Sequence, residues 1–231
     1  MVGDGNIQYP NEQDVNFWDT NNKSAASFGG SNTIEITDIV HGGIKAARLE
    51  SKYPVLRFYA ASLFTGSFLE HVIDGEKVNW GTPFASRPTA LKGWMQYAPA
   101  YIAVSGDQGF SSDAPADAPG RGEPDVCAIF CALLSEALTV DNKDMSTFPD
   151  LETDPRVIAY GALPAEQSVN TNGQWKEVNI PLVYRDLNEK PTHLLIVFTS
   201  SKYGDYKHGG KGSKLYIDDF SLEYGDTPAC Q

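Results

Sequence analysis

Two adjacent carboxylates, Asp218 and Asp219, stand in the middle of the otherwise apolar run Lys214-Leu215-Tyr216-Ile217-Asp218-Asp219-Phe220-Ser221-Leu222-Glu223-Tyr224. A carboxylate taken out of water must be paired, hydrogen-bonded or bound to a metal, so this pair is the first place to look for chemistry. Hard oxygen ligands suit a structural Ca²⁺, with backbone carbonyls and a further acidic or amide side chain completing the shell. Asp19, or Asn21 close to it, would supply that further ligand. The competing role is structural, with both acids accepting backbone N–H groups at a β-bulge. Leu215 and Ile217 share one face by period-two alternation, and Phe220, Leu222 and Tyr224 the other. Both sets reach a core only if the register slips by one residue, and the slip falls on Asp218 and Asp219.

Flat rings offer a second chemistry, because they stack on the C–H faces of sugars while Asn, Asp and Arg bind hydroxyls. Trp18, Trp80 and Tyr203 lie in polar or Gly-rich surroundings and are the candidate ligand-binding rings, with Arg87 as a polar partner. Plugging the end of a sandwich is the alternative role for the same rings. Trp94 and Trp175 fall within strand-like runs and are expected in the core. No catalytic residue stands out. A glycosidase needs two carboxyl groups about 5 to 9.5 Å apart across a cleft, and among 30 acidic residues no pair is marked by the sequence. The histidines, His41, His71, His193 and His208, show no HExxH spacing, no GxSxG is present, and Gly209 to Ser213 leads into a strand rather than a helix.

The elements that must position these groups read as short strands. Thr33 to Val40, Ala46 to Ser51, Val55 to Ala60 and Ser67 to Ile73 are each bounded by Gly, Pro or Asn. Leu91 to Tyr97 alternates as a half-buried strand, with Leu91, Gly93, Met95 and Tyr97 on one face. Asp125 to Leu134 is apolar on both faces, which fits a central strand or a short buried helix. Val157 to Gly161, Trp175 to Pro181 and the continuous apolar run of Thr192 to Ser200 follow. The Thr192 strand, the Gly-rich turn and the strand of the two aspartates read as a hairpin closing a β-sandwich. Ser105 to Pro124 is expected as a long surface loop, functional or mobile.

At 231 residues with 21 Gly and 14 Pro, the chain fits one large all-β domain, expected over residues 16–231 behind a flexible arm at 1–15. A net charge of −12 works against nucleic acid and anionic membranes as partners and leaves neutral ligands and cations. No stretch approaches the ~18 apolar residues of a membrane span. Cys127 and Cys131, on one strand, would have Cα atoms about 13 Å apart, too far for a disulfide. They are expected as core thiols, and Cys230 as an exposed one.

Several segments together resemble a known family. They are Phe17-Trp18-Asp19-Thr20-Asn21, Gly42 to Ser51, Ala60 to Phe68, Pro83-Phe84-Ala85-Ser86-Arg87-Pro88 with Leu91-Lys92-Gly93-Trp94, and Ser200 to Leu222. The chain from about Asn16 to Tyr224 is similar to the putative carbohydrate metabolism domain, found mostly in exported proteins of Bacteroidetes. The resemblance implies a jelly-roll β-sandwich of two antiparallel sheets, like the galactose-binding-type carbohydrate-binding modules, in a secreted or cell-surface protein. It implies no catalytic residue, and by fold-level analogy it supports a structural Ca²⁺ at the acidic pair. The expected function is therefore non-catalytic binding of a polysaccharide or other glycan. A structural or protein-interaction domain of a surface assembly is the alternative, and a glycoside-active enzyme is the third reading.

Overall fold

The computed structural model describes residues 2–3, 8–9, 17–26, 30–54, 57–72, 75–103, 114–225 and 229–230. The arm expected at 1–15 lies outside them apart from two short paired strands, β1 (Val2–Gly3) and β2 (Gln8–Tyr9). The start of the strand expected at Val55, the end of the one expected to reach Ile73 and positions 105–113 of the long loop also lie outside them.

The strands that follow are β3 (Trp18–Thr20), β4 (Thr33–Ile36), β5 (Ala46–Glu50), β6 (Ser62–Val72), β7 (Gly75–Trp80) and β8 (Thr82–Pro83). Next come β9 (Ala90–Ala98), β10 (Ala128–Leu134), β11 (Leu138–Asp141), β12 (Val157–Ala162) and β13 (Lys176–Pro181). The last are β14 (Val183–Tyr184), β15 (His193–Thr199), β16 (Lys214–Glu223) and β17 (Ala229–Cys230). A five-residue helix, α1 (Asn22–Ala26), follows β3.

The larger sheet runs β11-β7-β6-β15-β10-β12-β14-β17, with β3 also pairing β6 and β8 also pairing β15. The smaller runs β13-β9-β16-β5-β4. Apart from the parallel pairing of β14 with β17, the pairings are antiparallel, and the fold is a jelly-roll β-sandwich.

The runs that are apolar on both faces form the centre of the larger sheet. On β10, Ile129, Cys131 and Leu133 point into the core between the sheets, beside Leu194, Ile196 and Phe198 of β15 and Leu91, Met95 and Tyr97 of β9. The alternate residues Ala132 and Leu134, with Leu195 and Val197, enter a second apolar cluster on the outer face, where Phe148 and Leu151 pack against it. Fully burying one such side chain contributes about 1.5 to 3 kcal/mol, so two-sided burial explains why these strands carry no polar alternation. Cys127 and Cys131 are buried and Cys230 is exposed.

Two expectations need correction. The strand expected over Val55 to Ala60 reduces, in its described part, to one bridge between Lys52 and Tyr59. The Thr192 and Asp218 strands do not form a hairpin, because β15 pairs with β10 and β6 while β16 pairs with β9 and β5 in the other sheet. The connection crosses the sandwich, and buried Asp125 ties it down. Its Oδ2 accepts from Ser201 Oγ (2.5 Å), Ser213 Oγ (2.7 Å) and Gly210 N (2.8 Å), and its Oδ1 from Val126 N (2.8 Å). Burial raises the Asp125 pKa, and these bonds act against that rise by favouring the charged form.

β16 is thus the middle strand of the smaller sheet, and the register slip lies where the alternation requires it. Asp218 pairs with Trp94 and Ser221 with Lys92, so Asp219 and Phe220 together face Gly93. Asp219 takes up the bulge at φ 51°, a left-handed conformation that Asp tolerates better than most residues. A Cβ on Gly93 would collide with the Phe220 ring, so glycine opens the space that returns Phe220 to the core.

Candidate functional site

The outer face of the larger sheet carries a cleft of about 750 Å³. Its floor comes from strands whose alternate residues face outward: Phe64 of β6, Val78 and Trp80 of β7, Phe130 of β10, Tyr160 of β12 and Val197 of β15. Trp80 stands edge-on to Phe130 (centroids 6.1 Å) and to Phe148 (5.4 Å), and Phe130 meets Tyr160 at 6.4 Å. These contacts fix the rings as one wall.

A polar cluster lies within this lining. Glu76 occupies β7 in phase with Val78 and Trp80, so the alternation that places those two in the cleft places a carboxylate there as well. Asn142, just past β11, accepts from Glu76 N through Oδ1 (2.7 Å) and donates its own N–H to Glu76 O (3.1 Å). The Asn142 side chain also hydrogen-bonds the carboxyl of Asp205, on the turn Gly204–Tyr206, and Lys207 follows at φ 55°. Burial pushes Glu76 up to about 7, the Asp205 charge adds to that rise, and a bond from Ser24 and the Lys207 charge oppose it. Burial also raises Asp205, while Lys207 and Asn142 favour its charged form. Both acids line the cleft, and Glu76 is half-buried.

The residues expected from sequence are spread over the molecule. Trp80 is in the cleft wall, and Tyr203 lines the same cleft as a buried ring whose hydroxyl donates to Asp117 Oδ2 (3.1 Å). Trp18 is half-buried against Phe17 and Phe198, on the inter-sheet core. Arg87 pins the 186–189 loop by donating to Glu189 O (2.6 Å) and Asp186 O (3.3 Å), with its guanidinium 4.9 Å from the Tyr184 ring. The lining of the cleft includes neither Trp18 nor Arg87.

The three acids proposed for calcium are not gathered together. Buried Asp19 accepts from Thr20 N (2.8 Å) and Phe68 N (2.7 Å) and lies 3.9 Å from Lys23 Nζ. Asp218 Oδ2 accepts from His41 N (2.8 Å) and Gly42 N (3.2 Å), and Asp219 Oδ2 meets His41 Nδ1 at 2.8 Å. Among the described residues no group of three or more His, Cys, Asp or Glu converges as a metal site. Trp94 and Trp175, expected in the core, are half-buried instead. His41 stacks on Trp94 (4.0 Å, 13°) and meets Trp175 edge-on (5.9 Å).

Reading by residue type missed Glu76, Asn142, Asp205 and Lys207. One signal pointed to Glu76, the Glu-Lys-Val-Asn-Trp alternation of 76–80. Nothing local marked the others, Asn142 from the turn after β11 and Asp205 and Lys207 from the turn at 204–207.

Comparison with known proteins agrees with this architecture. Residues 4–223 match a family model described as "Putative carbohydrate metabolism domain". The structure of a putative glycoside hydrolase from Bacteroides thetaiotaomicron VPI-5482 superposes with a TM-score of 0.67 at 22% identity, covering 91% of this chain and 63% of that one. A putative glycoside hydrolase from Bacteroides vulgatus ATCC 8482 gives a TM-score of 0.67 at 18% identity, covering 89% of this chain and 85% of that one. The chain therefore spans less than two thirds of the first of these proteins, and at such identities the likeness concerns the fold. No curated protein matches. Among the described residues no helix is long and apolar enough to cross a membrane.

Proposed function

The chain belongs to the putative carbohydrate metabolism domain family, and from that premise we propose that it binds a glycan in the cleft on the larger sheet, as part of a secreted or cell-surface protein. The carrying observation is that one cleft joins an aromatic wall, Trp80, Phe130, Phe148 and Tyr160, to the polar cluster of Glu76, Asn142, Asp205 and Lys207. A pyranose has apolar C–H faces and a rim of hydroxyls, so it needs both kinds of surface at once. Ligand sites are commonly concave, mostly apolar and provided with a few convergent polar groups, at about 300 to 1,000 Å³, and this cleft fits that description at about 750 Å³. The two neighbours from Bacteroides, each described as a putative glycoside hydrolase, support a sugar as the ligand class.

The charge of the site narrows the choice. Glu76, Asp117, Glu152 and Asp205 line the cleft against Lys202 and Lys207, on a chain of net charge −12. Uronate-rich and sulfated glycans are disfavoured by that balance, and neutral chains are preferred. Calorimetry and a glycan array of neutral plant and host polysaccharides test the reading. Binding weakened by Trp80→Ala is expected, and an absence of binding across the panel overturns it.

A further inference from the structure

The lining of the cleft follows the strand order of the larger sheet. Val140 belongs to β11, Trp80 to β7, Phe64 to β6, Val197 to β15, Phe130 to β10 and Ala162 to β12, and these strands are consecutive neighbours. Four of these residues form one cross-strand rung, because Phe64 pairs with Val197, Val197 with Phe130 and Phe130 with Ala162. The ring contacts run the same way, from Trp80 on β7 through Phe130 on β10 to Tyr160 on β12. The cleft is therefore a groove at right angles to the strands. Five interstrand spacings of about 4.8 Å give it about 24 Å along the sheet, room for roughly three to five pyranoses in line. β7 marks its two flanks: Glu76, at one end of that strand, meets Asn142, which bonds Asp205, and Trp80, at the other end, meets Phe148 at 5.4 Å. At the ends of the groove lie the edge strand β11 and Ala162, a small exposed residue.

We propose that the groove holds the interior of an extended glycan chain laid across the strands, and does not capture a single terminal sugar. Recognition of a chain end needs a pocket closed around one or two units. A groove that crosses the sheet instead adds contacts with each further unit until it is filled. Successive units lie along the strip of rings, and their hydroxyls on one side meet the flank of Glu76, Asn142 and Asp205. This inference rests on the glycan-binding reading above and deepens it, since it makes the ligand a run of linked sugars.

The experiment takes each neutral polysaccharide that binds and measures, by calorimetry, the affinity of its size-fractionated fragments and the number of proteins bound per chain of the intact polymer. The parent, Tyr160→Ala and Ala162→Arg, the last two at the β12 end of the groove, are compared after folded-state spectra. Expected is an affinity that climbs ~10-fold or more from one unit to a plateau at roughly three to five units, with many proteins on each polymer chain. Both variants should lower the affinity of the longest fragments and bring the plateau to shorter ones. An affinity already complete at one or two units, or one protein per chain end, overturns the proposal and leaves the binding reading standing. The same holds if both variants keep the parent's plateau while Trp80→Ala weakens binding, since the ligand then occupies the β7 end alone. If no glycan binds, the binding reading falls and this inference with it.

Discussion

Asn142 holds Glu76 by its backbone on both sides, accepting its N–H at 2.7 Å and donating to its carbonyl at 3.1 Å, while the same side chain reaches the Asp205 carboxyl. One amide therefore joins a strand of the larger sheet to the turn that carries the second acid. Asn142→Ala removes both side-chain bonds and leaves the backbone pair. A loss of about 1 to 2 kcal/mol in urea unfolding is expected, with the Asp205 pKa shifted further upward by NMR titration. An Asp205 titration unchanged in the variant would show that the amide does not control that carboxyl.

Glu76 also gives stability a pH dependence. Its folded-state pKa lies near 7 against an ordinary 4.5, so the folded state holds the proton more tightly than the unfolded chain. Its stabilising contribution is complete below about pH 4.5 and is lost as pH rises toward 7, a change on the order of 3 kcal/mol. Asp205 and Lys207 are the charged groups acting on it. Glu76→Gln should therefore gain stability relative to the parent between pH 5 and pH 8 and level off above that. Parallel denaturation curves with a constant gap over this range would mean that Glu76 is solvated.

The two tryptophans proposed together from sequence should separate in function. Trp80 stands in the cleft wall beside Phe130 and Phe148, and Trp18 packs on Phe198 at the inter-sheet core. Trp80→Ala is expected to weaken glycan binding ~10-fold or more. Trp18→Ala should cost about 3 kcal/mol of stability with little effect on affinity once folded. Equal effects of both on affinity would argue against the cleft as the site.

At the bulge, a Cβ on Gly42 would fall on the Asp219 carboxylate, and Asp219 itself sits at φ 51°. Asp219→Asn should be tolerated within about 0.5 kcal/mol, since Asn accepts the left-handed conformation. Asp219→Val should lose about 2 to 3 kcal/mol through strain and loss of the His41 contact, and Gly42→Ala about 1 kcal/mol or more. Thermal melts of the three variants would check that order, and a Val variant as stable as the Asn one would contradict the backbone argument.

Much of the fold was legible because burial leaves its mark on each face of a strand separately. The unbroken apolar runs of Ala128 to Leu134 and Leu194 to Phe198 announced strands covered on both sides, and the helix alternative for the first disappears once both its faces are occupied. The hairpin was misread because the segment between Ser200 and Ser213 does not reveal which sheet the next strand joins. That is decided by buried Asp125, which gathers Ser201, Gly210 and Ser213 around one carboxylate. The site was less legible still. Trp80 and Tyr203 were named from their surroundings, but the surroundings of Trp18 and Arg87 looked much the same, and those two serve the core and a loop.

The acidic pair of β16 states the division most clearly. The sequence by itself determined that the register must slip at Asp218 and Asp219, because Ile217 and Phe220 cannot both face the core without it, and side-chain alternation is a local property of the backbone. Only the tertiary structure decided what those carboxylates do, because their partners, His41 and Gly42, arrive from a distant loop. It likewise brought Glu76 and Asp205, from separate segments, into the lining of one cleft, since such a meeting follows from packing of the whole sandwich.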